Sequence, residues 1–167
     1  MEIHHLIRFQ AAHAAWALGE LLRHAGTLPV ERLDEDLGIG PGSLRENLAH
    51  TIECMFFFAD NFGGRAYAEP ADFREGSRSL AGLAGLLARA DESLRSAMLG
   101  ACERGLGERV VWPNAEGGTM PAAAAISQVF DHSTLHRAQC VNILKRLGVR
   151  PVPDLDPMSF LAMGMPW

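Results

Sequence analysis

The clearest structural signal in the sequence lies at residues 43–61, SLRENLAHTIECMFFFADN. Ser43 and Glu46 form a capping-box pattern, in which the serine hydroxyl accepts from the third helical amide and the glutamate accepts from the serine amide. Apolar residues follow at steps of three and four, from Leu44 to Phe58. Gly63 and Gly64 then end the pattern. The segment therefore predicts an amphipathic helix of about five turns.

Three further segments on both sides of this one show the same helical periodicity. The first covers about residues 4–25, the next about 77–103, and the last runs to Gly148. For the last helix the predicted N-cap is Thr119, with Pro121 tolerated in the first turn. Four helices of this length predict an all-α fold, a four-helix bundle, in a single domain of residues 1–167.

The connections between the helices contain turn residues. Residues 27–42 form a linker with several glycines. Residues 105–118 combine glycines with the β-branched pair Val110–Val111, which predicts a short irregular or hairpin loop before the fourth helix. Four of the nine prolines fall in the C-terminal tail, where residues 157–163 predict one short helix.

Composition excludes several classes of function. The net charge of −5, without a cluster of basic residues, argues against nucleic-acid binding. No segment reaches the roughly 20 apolar residues of a membrane span. Charged residues and histidines interrupt the N-terminal stretch, so we expect no signal peptide. The three cysteines, Cys54, Cys102 and Cys140, have no CxxC spacing, which predicts free thiols and a cytoplasmic protein.

The fourth helix contains a histidine pair in the segment DHSTLHR, residues 131–137. His132 and His136 are spaced i, i+4, so they share one face about 6 Å apart along the axis. Two neutral imidazoles in this arrangement can bind one metal ion. The apolar residues on the same face indicate that this face points into the bundle.

A third histidine lies on the apolar face of the second helix. His50 is surrounded there by Leu48 and Ile52, among others. Three inward-facing histidines are costly to bury unless they are paired or bind a metal. The alternative is that each is a buried histidine bonded to a carbonyl or carboxylate group. Cys140 extends the stripe of the fourth helix, but about 12 Å from His132, and is predicted to be a small apolar core residue.

Other polar residues leave alternatives open. Glu53, three residues after His50, is the candidate catalytic residue and could accept a hydrogen bond from an imidazole; otherwise it is a solvated carboxylate. His13 either faces the metal site or lies outside it. Arg137 is predicted to form a structural ion pair with an acidic residue, Asp131, Asp154 or Asp156.

The sequence resembles the DinB/YfiT-like superfamily of bacterial four-helix metalloproteins. The resemblance is most specific at residues 129–139, VFDHSTLHRAQ, and is supported by residues 48–53, LAHTIE, and by the Trp112–Pro113–Asn114 loop. It implies His50, His132 and His136 as the metal ligands, and an up-down-down-up order of helices. Leu135 and Ala138 depart from the pattern of the superfamily, which often has histidine and glycine there, but neither position is a ligand.

A site with three histidine ligands leaves coordination positions open for chemistry. The ion would be divalent: zinc or nickel is favoured, and iron or manganese is an alternative. An open metal site predicts a small-molecule substrate. Two classes of enzyme fit such a site: a metal-dependent hydrolase, and a thiol transferase or isomerase. The resemblance favours a low-molecular-weight thiol, because several relatives use bacillithiol or mycothiol. A non-enzymatic, stress-related metal-binding bundle is the alternative, and a homodimer is possible for either.

The geometry also predicts where a substrate would enter. The open metal position should be bordered by residues 13–17 of the first helix and by residues 112–114 of the loop before the fourth. Trp112 would supply an apolar wall, since ligand-contacting residues concentrate on such loops. Alternatively, Trp112 closes one end of the core.

Overall fold

A computed structural model describes residues 3–74, 78–113 and 115–167. Within these ranges the chain is a helical bundle, so the all-α prediction is confirmed. Its four long helices are α1 (Ile3–Ala25), α2 (Leu44–Phe62), α4 (Leu80–Arg104) and α5 (Ala122–Arg146). Two helices are short: α3 (Ala71–Arg74) lies in the connection after α2, and α6 (Pro157–Ala162) lies in the C-terminal tail.

The core lies where the apolar faces of the four long helices meet. Helices α1 and α2 each pack along both α4 and α5. Burial of these faces is the main stabilising contribution to the bundle. Residues from every long helix are at most 1% exposed, including Leu18, Leu21, Leu48, Ile52, Leu83, Ile143 and Leu144.

Helix α2 begins as the sequence predicts. The Ser43 side chain accepts a hydrogen bond from the Glu46 amide at 3.2 Å, and the Ser43 amide donates to Glu46 Oε2 at 3.0 Å. Helix α4 begins at Leu80 after its N-cap Ser79, whose side chain accepts from Gly82 N. The predicted start near residue 77 lies outside the described residues.

A two-stranded antiparallel hairpin precedes α5 and changes how that helix begins. Strand β1 (Arg109–Val111) pairs with β2 (Thr119–Pro121), so the hairpin prediction is confirmed and the prediction of Thr119 as N-cap is wrong. The Thr119 hydroxyl instead accepts from Arg109 Nε at 2.7 Å. The first amides of α5, at Ala122 and Ala123, donate to carbonyls of residues 108 and 106. Hairpin carbonyls therefore replace the side-chain cap.

The C-terminal tail folds back onto α1. The predicted short helix near residues 157–163 is present as α6, with Asp156 as its N-cap. Phe160 is 1% exposed and packs against the rings of Phe9, His13 and Trp16. None of the helices described is both long and apolar enough to cross a membrane.

Candidate metal centre

Helix α2 presents His50 and Cys54 on one face, one turn apart. The apolar residues around them orient this face towards α5, and both side chains are partly buried. The Cys54 sulfur lies 3.6 Å from His50 Nε2 and 3.8 Å from His50 Nδ1. Burial and the nearby Glu53 carboxylate raise the pKa of the Cys54 thiol to about 12, so the isolated thiol stays protonated. Sequence reasoning did not single out Cys54 as a ligand, although its i, i+4 spacing from His50 was a visible signal.

Helix α5 presents His132 and His136 towards α2. Their Nε2 atoms lie 3.1 Å apart, within hydrogen-bond distance of each other. Without a metal, one of the two nitrogens must donate and the other accept. The predicted i, i+4 geometry of this pair is therefore present in the structure.

The three predicted histidines come together between the two helices. The ring centre of His50 lies 4.7 Å from that of His136 and 5.6 Å from that of His132. Burial, and then the neighbouring imidazoles of His136 and His50, lower the pKa of His132 to about 4. Burial, and then His50, lower the pKa of His136 as well. At neutral pH both are in the uncharged form that metal ligands require.

A glutamine supports His136 from the same helix. Gln139, one turn on, lies beside the His136 imidazole and partly offsets the lowering of its pKa. In this conformation His136 Nδ1 and Gln139 Oε1 are both buried without a hydrogen-bond partner. Gly40 of the linker lies against this glutamine with a positive φ of 56°, and a Cβ there would stand 2.5 Å from Gln139 Oε1. The absent side chain of Gly40 therefore makes room for Gln139 beside the histidine.

Aromatic rings cover one side of the cluster. Phe58 of α2 meets His132 edge-on at a ring distance of 5.3 Å. Trp112, which is 5% exposed, stacks on Phe58 at 5.2 Å with an interplanar angle of 10°. Trp112 thus lies in the core behind Phe58, in agreement with the alternative that it closes one end of the core. Asn114, the other end of the predicted border, lies outside the described residues.

A small cavity of about 20 Å³ adjoins His132 on another side. That volume has room for about one water molecule. Helix α1 contributes Ala11 and Ala14 to its wall, and α4 contributes Asp91 and Arg95. Burial raises the pKa of the Asp91 carboxyl. Sequence reasoning missed Asp91, although a carboxylate on the apolar stripe of α4 was the signal that could have identified it.

Glu53, the predicted catalytic residue, faces the connection after α2. Its Oε1 accepts a hydrogen bond from the Tyr67 hydroxyl at 3.2 Å. In the described part of the chain, no hydrogen bond joins Glu53 to any of the three clustered imidazoles. Its catalytic role stays a prediction.

Two other polar residues lie away from the histidine cluster. His13 is buried and its Nε2 donates to the Leu155 carbonyl at 2.8 Å, so the structure agrees with the alternative that places His13 outside the metal site, bonded to the tail. Arg137 is also buried, and it donates from Nη2 to Thr134 Oγ1 at 3.0 Å. Among the described residues it forms no ion pair with an acidic side chain, and its Nη1 has no hydrogen-bond partner. The predicted ion pair of Arg137 is therefore wrong: its side chain lies beside Pro153 and Leu155 of the tail and is bonded to Thr134 of its own helix.

The donor atoms in the cluster suit a transition-metal ion. Two imidazole nitrogens that share a tetrahedral ion at about 2.0–2.1 Å lie roughly 3.4 Å apart. The observed separation of 3.1 Å between the Nε2 atoms of His132 and His136 is close to this value. The donor set is nitrogen and sulfur, which favours zinc, nickel, copper or iron over magnesium or calcium.

Comparisons with known proteins agree with this architecture. The sequence model described as the DinB family matches residues 8–162. Among solved structures, the crystal structure of a DinB-like protein from Bacillus cereus ATCC 10987 matches with a TM-score of 0.57 and 16% sequence identity, over 83% of this chain and 89% of that one. At this identity the structural likeness shows the fold alone. No curated protein matches the chain.

Proposed function

The chain belongs to the DinB family, and from this premise we propose that it binds one divalent transition-metal ion through His50, His132 and His136 as part of a metal-dependent enzyme. The observation that supports the proposal is the convergence of three imidazoles from two helices, two of them with pKa values lowered by burial. When bound, such an ion activates a coordinated thiol or water and polarises carbonyl groups. The substrate class is a low-molecular-weight thiol with an electrophile, or a hydrolysable small molecule.

The residues around the cluster have separate roles in this proposal. Phe58 covers His132 and excludes water from that side. Gln139 is the candidate outer-shell partner of His136, because Gln139 Oε1 and His136 Nδ1 are both buried without another hydrogen-bond partner. Glu53 and Asp91 are the two carboxyl groups that could transfer a proton; Asp91 lines the cavity beside His132, whereas Glu53 is bonded to Tyr67.

A second candidate function is a non-enzymatic metal-binding bundle. Two observations favour it. Cys54 provides another donor atom within the cluster, and the adjoining cavity of about 20 Å³ is too small for a substrate larger than water unless side chains move. The histidine cluster serves either function equally well.

Metal titration followed by an activity screen separates these candidates. Protein purified without a metal-affinity column is stripped with a chelator and titrated with zinc and nickel in a calorimeter. We expect one ion per chain for the wild type, and none for His132→Ala with its far-ultraviolet circular dichroism preserved. The exposed His5 supplies a matched control, since His5→Ala should bind normally.

The loaded protein is then screened with cysteine, glutathione, bacillithiol and mycothiol against a panel of electrophiles, and with ester and amide substrates. Metal-dependent turnover supports the enzyme. Stoichiometric binding with no turnover of any of these substrates supports the metal-binding bundle. Absence of stoichiometric binding by the wild type would refute both candidates.

A further inference from the structure

Cys54 belongs to the same cluster of donor atoms as His50 and His132, and His136 adjoins this cluster through His132. The donor atoms of His50, Cys54 and His132 all lie within 4.8 Å of one another. The His136 nitrogen Nε2 is 3.1 Å from that of His132. Each helix therefore contributes one i, i+4 pair: His50 and Cys54 from α2, His132 and His136 from α5. The two pairs face each other across the interface of the helices.

Two of the separations among these atoms are close to those around a tetrahedral ion. With a zinc–sulfur distance of about 2.3 Å and a zinc–nitrogen distance of about 2.0–2.1 Å, tetrahedral angles place sulfur and nitrogen roughly 3.6 Å apart. The Cys54 sulfur lies 3.6 Å from His50 Nε2.

We propose that Cys54 binds the metal ion as its fourth ligand, through a thiolate, and completes a site of three histidines and one cysteine. The inference rests on the proposed metal site and defines its resting state. On binding, the thiol proton leaves to solvent and the sulfur lone pair coordinates the ion, so no oxidant or reductant is needed.

This ligand set changes what the site does. Four protein donors would fill the coordination shell of the ion, as in structural zinc sites, whereas catalytic sites keep a position open. A low-molecular-weight thiol could reach the ion only by replacing Cys54, one thiolate for another. Cys54 thereby decides whether the ion is accessible.

Cobalt substitution tests this directly. Divalent cobalt replaces zinc in such sites, and a bound thiolate gives a sulfur-to-cobalt charge-transfer band in the near ultraviolet that imidazole ligands do not give. The metal-free wild type is titrated with cobalt in buffer without added thiol, beside Cys54→Ser and Cys54→Ala. Cys140, one turn after His136 on α5, and Cys102 on α4 provide matched controls as Cys140→Ala and Cys102→Ala. Circular dichroism shows that each variant is folded.

The proposal expects the charge-transfer band in the wild type and in both control variants, and its loss in both Cys54 variants while one cobalt ion still binds. Zinc affinity should fall in Cys54→Ala by more than the roughly 10- to 100-fold that loss of an outer-shell partner costs. If the wild type binds cobalt stoichiometrically without this band, Cys54 is not a ligand, and the result is consistent with a site of three histidines. If the band survives in Cys54→Ser but disappears in Cys140→Ala, the thiolate ligand is Cys140 of α5. That result would also overturn the proposed role of Cys54. If the wild type binds no cobalt, the metal site and this inference fail together.

Discussion

Protonation of His132 should destabilise the metal-free protein at mildly acidic pH. In the folded chain, burial and the neighbouring imidazoles lower the pKa of His132 from 6.5 to about 4. In the unfolded chain the imidazole binds a proton below about 6.5. Between these two values the unfolded state binds more protons than the folded state, so the free energy of unfolding falls as the pH falls.

The size of this effect follows from the two pKa values. At 1.36 kcal/mol per pKa unit, the difference between 6.5 and about 4 corresponds to about 3 kcal/mol. His132 is only partly buried, so solvent screening reduces the expected contribution to about 1–2 kcal/mol. The contribution is fully present above pH 6.5, diminishes below it, and is lost at about pH 4.

Urea denaturation with a chelator present measures this effect. Wild type and His132→Gln are unfolded at a series of pH values from 7.5 to about 4, the window between and around the two pKa values. Carboxylates that titrate in this range affect both proteins alike, so the difference between their free energies of unfolding isolates the imidazole. That difference should shift in favour of the variant by about 1–2 kcal/mol as the pH falls. Parallel pH profiles would show that His132 is not held neutral in the folded protein, and would remove the electrostatic argument for its role as a ligand.

Three further predictions concern the surroundings of the cluster. Gly40→Ala should lower the zinc affinity by on the order of tenfold, because a Cβ there displaces Gln139 from His136. Gly38→Ala is the control, since its φ of 63° costs similar backbone strain but its Cβ would meet no other atom. Equal zinc affinities for the two variants would contradict the role of Gln139. Trp112→Ala should lose about 3–5 kcal/mol of stability in thermal or urea unfolding, because the Trp112 ring is buried against Phe58. Its zinc affinity should change little. A large loss of zinc affinity with a small loss of stability would show instead that Trp112 belongs to the binding site. All three cysteines should be alkylated without prior reduction, as mass spectrometry can show, and an intramolecular disulfide in fresh lysate would contradict this.

Local features of the fold were predictable because short-range rules determine them. The capping box at Ser43 and the apolar periodicity of α2 depend on residues within one or two turns, and both predictions are confirmed. Thr119 shows where such rules fail. Its sequence pattern is that of an N-cap, but pairing with the strand at Arg109–Val111 uses its hydroxyl and backbone, and carbonyls from residues 106 and 108 replace the cap.

By itself, the sequence determined that His132 and His136 share one face, because residues at i and i+4 are always neighbours on the surface of a helix. It also determined, through the apolar arc around it, that His50 points inward. Only the tertiary structure decided which inward residues meet. His13 is more deeply buried than the clustered histidines, yet it is bonded to the Leu155 carbonyl.

The position of Cys54 between the histidines and that of Asp91 beside the cavity were likewise decided by tertiary packing. The physical reason is that contacts between helices depend on the rotation of each helix about its own axis. That rotation is set by how all the side chains along the interface interdigitate, and no single segment specifies it. Spacing within a segment therefore predicts which residues can act together, and packing between segments determines which of them do.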